Sequence, residues 1–215
     1  MPIDTTQEGP WKALFIEAMT LMSGLPAIEP APVWSFGGGT VLMLRHWHRQ
    51  SKDIDLFVGD PQLLGYLNPR LSDVAASITD DYVEAAEYIK LFLDAGEIDV
   101  VVSQPLTQTP YETADILGYA VLVETSAEII AKKMYYRGHQ AKGRDLFDFA
   151  LVLDRDPDTM LSAKEYVLRH REAFLDQLNR RESALRIEFD AIDTLDYHPT
   201  FEDCVARVSQ FLQSL

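Results

Sequence analysis

The chain has 215 residues, of which 47% are hydrophobic, so it can bury one sizeable core or a modest core with a helical annex. With 19 basic and 34 acidic residues, its net charge of -15 makes the average surface repel phosphate backbones and anionic membranes, and any contact with nucleic acid must be local. The sequence has no signal-peptide pattern and no apolar stretch of the roughly 18 to 20 residues that span a bilayer. Cys204 is the single cysteine, so an intrachain disulfide is excluded. Together these features predict a cytoplasmic protein without a membrane or disulfide partner.

The first predicted elements surround a glycine triplet. Apolar residues at helical spacing over residues 10–22 predict a first helix. A short apolar run at residues 33–36 predicts a strand that enters Gly37–Gly39, and a short helix is expected from Thr40 to about His48. Residues 53–58 alternate acidic and apolar side chains, which is typical of a half-exposed strand.

The elements that follow complete a small sheet and then turn helical. One or two short helices are expected after Pro61, and two apolar runs in residues 82–102 flank Asp94–Gly96, which predicts a hairpin. A last β-prone run at residues 118–123 precedes Ser126, which resembles an N-cap with an acidic residue in the first turn.

The predicted fold class is α+β. It comprises a small mixed β-sheet core with flanking helices in residues 1–124 and an all-helical C-terminal region in residues 125–215 that packs against the core. Apolar spacing over residues 146–153 and 201–212 supports the helical region and makes Cys204 a helix-packing residue.

The chemistry is predicted to centre on carboxylates. Because a strand has period two, Asp53 and Asp55 project from one face with their backbones roughly 7 Å apart. Mg²⁺ prefers a few carboxylates completed by water and phosphate oxygens, and paired metals support phosphoryl transfer. Such a pair needs a third carboxylate, for which Asp99, on the strand after the hairpin, is the candidate and Glu97, on the same face, the alternative.

The glycine turn has a complementary predicted role. A turn without side chains at the start of a helix lets phosphates approach backbone N–H groups and a favourable helix dipole. Thr40 could add a hydroxyl.

These motifs together resemble the AbiEii/AbiGii group of nucleotidyltransferase-like proteins. The first half of the resemblance is a glycine pair, a threonine, a short apolar helix and the pattern His-Arg-x-Ser-x-Asp-x-Asp-x-Phe, here Gly38, Gly39, Thr40, His48, Arg49, Ser51, Asp53, Asp55 and Phe57. The second half is a Glu-x-x-x-x-Lys helix followed by an Arg-Asp-x-x-Asp helix, here Glu128, Lys133, Arg144, Asp145 and Asp148. The resemblance covers residues 34–153. The last third matches none of these features, and the chain is short for the group.

The resemblance implies a core like that of DNA polymerase β, a nucleoside triphosphate (NTP) with Mg²⁺ or Mn²⁺, and toxin activity held in check by an antitoxin. It implies that Asp53 and Asp55 hold metal, and Asp99, the candidate from the strand positions, is expected to be the third ligand. The residues expected to bind nucleotide are Gly38, Gly39, Thr40, Ser51, Lys133, Arg144, Asp145 and Asp148. Of these, Lys133 would reach a phosphate, and Arg144, Asp145 and Asp148 would line the cleft from the helical side.

Three functions remain open from the sequence. The leading hypothesis is transfer of a nucleotide from an NTP to a macromolecule, with RNA 3′ ends, tRNA in particular, ahead of a protein hydroxyl, and with Asp99 helping to deprotonate the acceptor. The alternatives are nucleotidylation of a small molecule, as in antibiotic-modifying relatives, and a degenerate fold that acts only as a binding module.

Two basic clusters also admit two interpretations. The first comprises Arg45, His46, His48, Arg49 and Lys52. The second comprises Lys132, Lys133, Arg137, His139, Lys142 and Arg144. They could form a positive funnel for phosphate or be solvated helix faces, and Lys133 with Asp145 could be a surface ion pair worth little.

Overall fold

The computed structural model describes all 215 residues and divides them into two compact units. The first unit contains residues 1–45, 51–105 and 111–124. The second contains residues 46–50, 106–110 and 125–215. Two short segments from the N-terminal part of the chain therefore belong to the C-terminal unit.

The first unit is built on a seven-stranded mixed sheet. Its strands are β1 Trp34–Gly37, β2 Ile54–Val58, β3 Tyr82–Ala85, β4 Tyr88–Leu93, β5 Gly96–Val102, β6 Tyr111–Ile116 and β7 Tyr119–Glu124. Their order across the sheet is β3-β4-β5-β2-β1-β7-β6, with β2–β5 and β1–β7 parallel and the other neighbours antiparallel. The predicted α+β class with a small mixed sheet is confirmed.

The first unit also contains three α-helices and one 3-10 helix. They are α1 Trp11–Met22, α2 Gly38–His46, a 3-10 helix Pro61–Leu67 and α3 Asp73–Ile78. The apolar stripe predicted for α1 is buried, including Trp11 and Phe15. On the sheet, Ile54, Leu56 and Ile98 are fully buried, so the acidic residues that alternate with them lie on the other face.

Two strands were not predicted. The region after Tyr82 was expected to contain a pair of strands, but it contains three, because β3 forms a further hairpin with β4. β6 pairs with β7 although only the latter was predicted. Both additional strands lie at edges of the sheet, and three consecutive residues of β3 and three of the six residues of β6 are exposed, so they lack the alternation that marks a half-buried strand.

The regular elements of the second unit are helices, as predicted. They are α4 Ser126–Arg137, α5 Gly143–Arg155, α6 Pro157–Met160, α7 Lys164–Leu168, α8 Arg171–Arg180, α9 Glu182–Asp190 and α10 Phe201–Ser214, with short 3-10 turns at Gly138–Gln140 and Leu161–Ala163. Cys204 is buried on α10, which confirms its predicted packing role. No helix of the structure combines the length and the apolar composition needed to span a bilayer.

The predicted N-cap of α4 is wrong by one residue. Thr125 has the extended backbone of a cap, and its hydroxyl accepts from the Glu128 N–H at 3.3 Å. Ser126 is already helical, and its hydroxyl lies 2.9 Å from Nε2 of His46, a neighbour 80 residues away.

Candidate active site

The predicted carboxylates meet on one face of the sheet in the first unit. The parallel register of β2 and β5 pairs Asp55 directly with Asp99. Neighbouring strands are roughly 4.8 Å apart, so the two side chains are adjacent. Asp53 precedes β2, and its Oδ1 accepts from the Glu97 N–H on β5 at 3.1 Å. The structure therefore brings Asp53, Asp55 and Asp99 together, with Glu97 beside them.

The glycine turn at the start of α2 is fitted to acidic side chains. Gly38 has a φ of 72°, and a Cβ there would lie 2.5 Å from Cγ of Asp55. A Cβ on Gly37 would lie 2.7 Å from Cδ of Glu124. Any larger residue would push these carboxylates away, so the turn needs glycine at both positions.

The hydroxyls near the turn have structural partners. Thr40 is fully buried, and its hydroxyl donates to the Asp53 carbonyl oxygen at 2.6 Å. Ser51 Oγ lies 3.0 Å from the same hydroxyl. The pair braces the segment that precedes β2 against α2.

Asp99 is held asymmetrically. Its Oδ2 lies 3.0 Å from Nζ of Lys90, whereas its Oδ1 is buried and has no hydrogen-bond partner. Burial, reinforced by Glu97 and Asp53, raises the pKa of Asp99 above its ordinary value, and Lys90 opposes this rise. Burial lowers the pKa of Lys90, but its hydrogen bonds with Glu97 and Asp99 outweigh this and raise that pKa. Lys90 therefore stays charged, but its charge does not fully offset the burial of the Asp99 carboxylate.

The donor set fits a divalent cation, although no group of three His, Cys, Asp or Glu side chains is close enough to form a ready metal cage. Asp55 and Asp99 share a register position, and the unpartnered oxygen of Asp99 faces no protein donor. Carboxylate oxygens of this kind are what Mg²⁺ takes in proteins, with water and phosphate completing its shell.

Sequence reasoning missed two residues on this face. Lys90 lies opposite Asp99 on β4, and counting back from the predicted hairpin turn would have found it, because Leu93 pairs with Gly96. Glu124, at the end of β7, is 1% exposed and accepts from the Ser35 hydroxyl at 3.0 Å. Its place beside β1 depends on a pairing that the local sequence does not reveal.

Three of the other predicted residues, Lys133, Asp145 and Asp148, form a largely buried cluster in the second unit. Asp148 is fully buried, accepts from Nε of Arg49 at 2.7 Å and Nη2 at 2.8 Å, and lies 2.9 Å from Nε2 of His48. Lys133 pairs with Asp148 and lies 3.2 Å from Oδ1 of Asp145. Although burial raises the pKa of Asp148, the charges of Arg49 and Lys133 hold it well below the ordinary value. The interpretation of Lys133 and Asp145 as a surface ion pair is wrong.

Arg144 differs from its neighbours in the motif. It is exposed in the first turn of α5 and lines a cavity of about 550 Å³ with Arg49, Lys142 and Glu188. Asp145, one residue on, is buried and accepts from Arg137 at 2.6 Å. Within the motif, Arg144 is thus the basic group accessible to solvent.

The interpretation of the basic clusters as solvated helix faces is wrong for their buried members. These are Arg45, His46, His48, Arg49 and Lys132. Arg45, for example, donates to Glu112 at 2.8 Å and to the Glu124 carbonyl oxygen at 3.0 Å. Much of the apparent basic surface is therefore structural.

Comparison with solved structures shows a shared fold. JHP933 from Helicobacter pylori is 15% identical, with a TM-score of 0.53 over 95% of this chain and 89% of that protein. MenT4, a nucleotidyltransferase toxin from Mycobacterium tuberculosis H37Rv, is 18% identical, with a TM-score of 0.53 over 95% of this chain and 84% of that one. The antibiotic-resistance factor ANT(2″)-Ia is 14% identical, with a TM-score of 0.53 over 80% of this chain and 99% of that one.

Family membership follows from the sequence. No curated protein matches it, but the family model described as nucleotidyl transferase AbiEii toxin, type IV TA system, matches residues 20–213. This span includes the C-terminal helices, so the expectation that the last third lies outside the resemblance is wrong. The chain belongs to the AbiEii family of nucleotidyltransferase toxins.

Proposed function

We propose that this toxin is a metal-dependent enzyme that transfers a nucleotide from an NTP to a macromolecular acceptor, with an RNA 3′ end, tRNA in particular, as the favoured acceptor. The observation that carries the proposal is the direct register of Asp55 and Asp99 on parallel strands beside a glycine turn. The type IV toxin–antitoxin family implies an antitoxin partner, and abortive infection is the proposed setting.

In this proposal Asp53, Asp55 and Asp99 would hold Mg²⁺ or Mn²⁺. The metal would neutralise the triphosphate and the departing pyrophosphate. Asp99 would also help to deprotonate the acceptor hydroxyl, because it lies in register with Asp55 where the metal is held.

The triphosphate would be bound by backbone N–H groups and by basic side chains. Gly38 and Gly39 begin α2, whose N-terminus carries free N–H groups and a positive partial charge. Thr40 and Ser51 would act by holding the turn, since the Thr40 hydroxyl bonds with Ser51 Oγ and with the Asp53 carbonyl oxygen.

Two basic residues of the second unit are also proposed to contact phosphate. The accessible Arg144 is suited to meeting a phosphate. Lys133 would do so by leaving one of its two carboxylate partners, Asp145 or Asp148, which otherwise hold it in place.

Nucleotidylation of a small hydroxylated molecule is the second candidate. A net charge of -15 favours it, because a large RNA footprint would meet mostly repulsion. A degenerate binding module is a weaker alternative, since an inactive fold has no physical need for adjacent, partly buried carboxylates.

The acceptor can be identified by following the label from α-labelled NTPs. The protein is incubated with Mg²⁺ and total cellular RNA, and in parallel with small hydroxylated metabolites. We expect label on RNA from the wild type, loss of it in Asp55→Asn, and retention in Asp94→Asn, which makes the same charge change at an exposed turn of the same sheet. Label on a small molecule alone would favour the second candidate, and label on neither would contradict nucleotidyl transfer.

A further inference from the structure

Glu97 and Asp99 both qualify by position as the third ligand, and Lys90 contacts both. The antiparallel register of β4 and β5 places Lys90 opposite Asp99, with Glu97 two residues along the same face. Nζ of Lys90 lies 3.0 Å from Oδ2 of Asp99 and also pairs with the Glu97 carboxylate. One ammonium group thus holds two competing carboxylates.

The two carboxylates are left in different states by this contact. Asp99 gives one oxygen to Lys90 and keeps Oδ1 buried without a partner, which is costly unless a ligand completes it. Glu97 is more exposed, with 38% of its side chain accessible against 22% for Asp99. Its backbone N–H is also bound to Asp53. The carboxylate oxygen that is buried without a partner therefore belongs to Asp99.

We propose that Lys90 is a positioning residue that makes Asp99, rather than Glu97, the third metal ligand. It does so by holding the Glu97 carboxylate to one side and by fixing Asp99 through Oδ2, so that the buried Oδ1 is left for a cation bound by Asp53 and Asp55. This inference rests on the proposed function, because it presupposes a cation at Asp53 and Asp55.

Mn²⁺ binding, measured by isothermal titration without nucleotide, tests the assignment. In the wild-type background we expect Asp99→Asn to weaken Mn²⁺ binding by about tenfold or more and Glu97→Gln by less than about twofold. In a Lys90→Met background the Glu97 carboxylate loses its ion pair with Lys90 and can bind the cation. We therefore expect Glu97→Gln to cause the larger loss of Mn²⁺ affinity in that background. Lys90→Arg retains a cation, and it should keep the wild-type order of the two effects.

Lys164→Met is the matched control, because it removes an exposed lysine of the second unit, and it should also keep the wild-type order. Lys90→Gln provides a second uncharged variant should Lys90→Met not fold. An unchanged order in both uncharged variants, with binding still dependent on Asp53, would overturn the role of Lys90 and leave the proposed function standing. Mn²⁺ binding that is absent, or insensitive to Asp53→Asn, would overturn both.

Discussion

Gly38→Ala tests whether the glycine turn exists to accommodate Asp55. At a φ of 72° an alanine pays the strain of the left-handed region, about 1 kcal/mol. Its Cβ would also lie 2.5 Å from Cγ of Asp55, so that side chain must move, which adds about 1 to 3 kcal/mol. We therefore expect the free energy of unfolding, measured by urea denaturation, to fall by about 2 to 4 kcal/mol.

Gly118→Ala separates strain from displacement. Gly118 has a φ of 87°, but a Cβ there would meet no atom within 4 Å, so only the strain of about 1 kcal/mol is expected. Mn²⁺ affinity should be unchanged in this variant and about tenfold weaker in Gly38→Ala. Equal losses of stability in the two variants, with equal Mn²⁺ affinity, would refute the idea that Asp55 is seated over the turn.

The remaining predictions concern buried polar side chains. Asp148→Asn leaves buried cations without their carboxylate, so we expect a loss of about 3 to 5 kcal/mol in urea, whereas Asp176→Asn, in an exposed pair, should cost under about 1 kcal/mol. Burial lowers the pKa of His48, so the unfolded chain takes up a proton first as the pH falls below about 6.5. The free energy of unfolding therefore falls as the pH drops from that value to the pKa of His48 in the folded protein. His48→Gln should remove this part of the pH dependence of stability, and an unchanged pH dependence would contradict the assignment to His48. Thr40→Val removes the donor to the Asp53 carbonyl and should lower the free energy of unfolding by about 1 to 3 kcal/mol, whereas Thr40→Ser keeps the donor and should lose much less. Equal losses of stability in the two variants would argue against the brace.

Local patterns in the sequence were sufficient for the elements that carry the carboxylates. Alternation in residues 53–58 predicts which side chains of β2 are buried, and the turn at Asp94–Gly96 fixes the register of β4 and β5. From that register the position of Lys90 opposite Asp99 could have been counted. The pairing of Asp55 with Asp99 needed one further fact, that β2 and β5 are neighbours.

Features that depend on distant neighbours could not be predicted in this way. The basic residues near α2 look like a charged surface, yet Arg49 is buried against Asp148, which lies 99 residues further along the chain. Similarly, Thr125 and Ser126 are both suitable caps by residue type. The choice depends on the extended backbone of the first and on His46, which binds the second.

Titration of an NTP into the protein, with and without Mg²⁺, tests most directly whether Asp53 and Asp55 form a metal-dependent nucleotide site. We expect binding that requires Mg²⁺, is lost in Asp55→Asn and is retained in Asp94→Asn. Binding of equal affinity without Mg²⁺ and in Asp55→Asn would contradict the proposed active site.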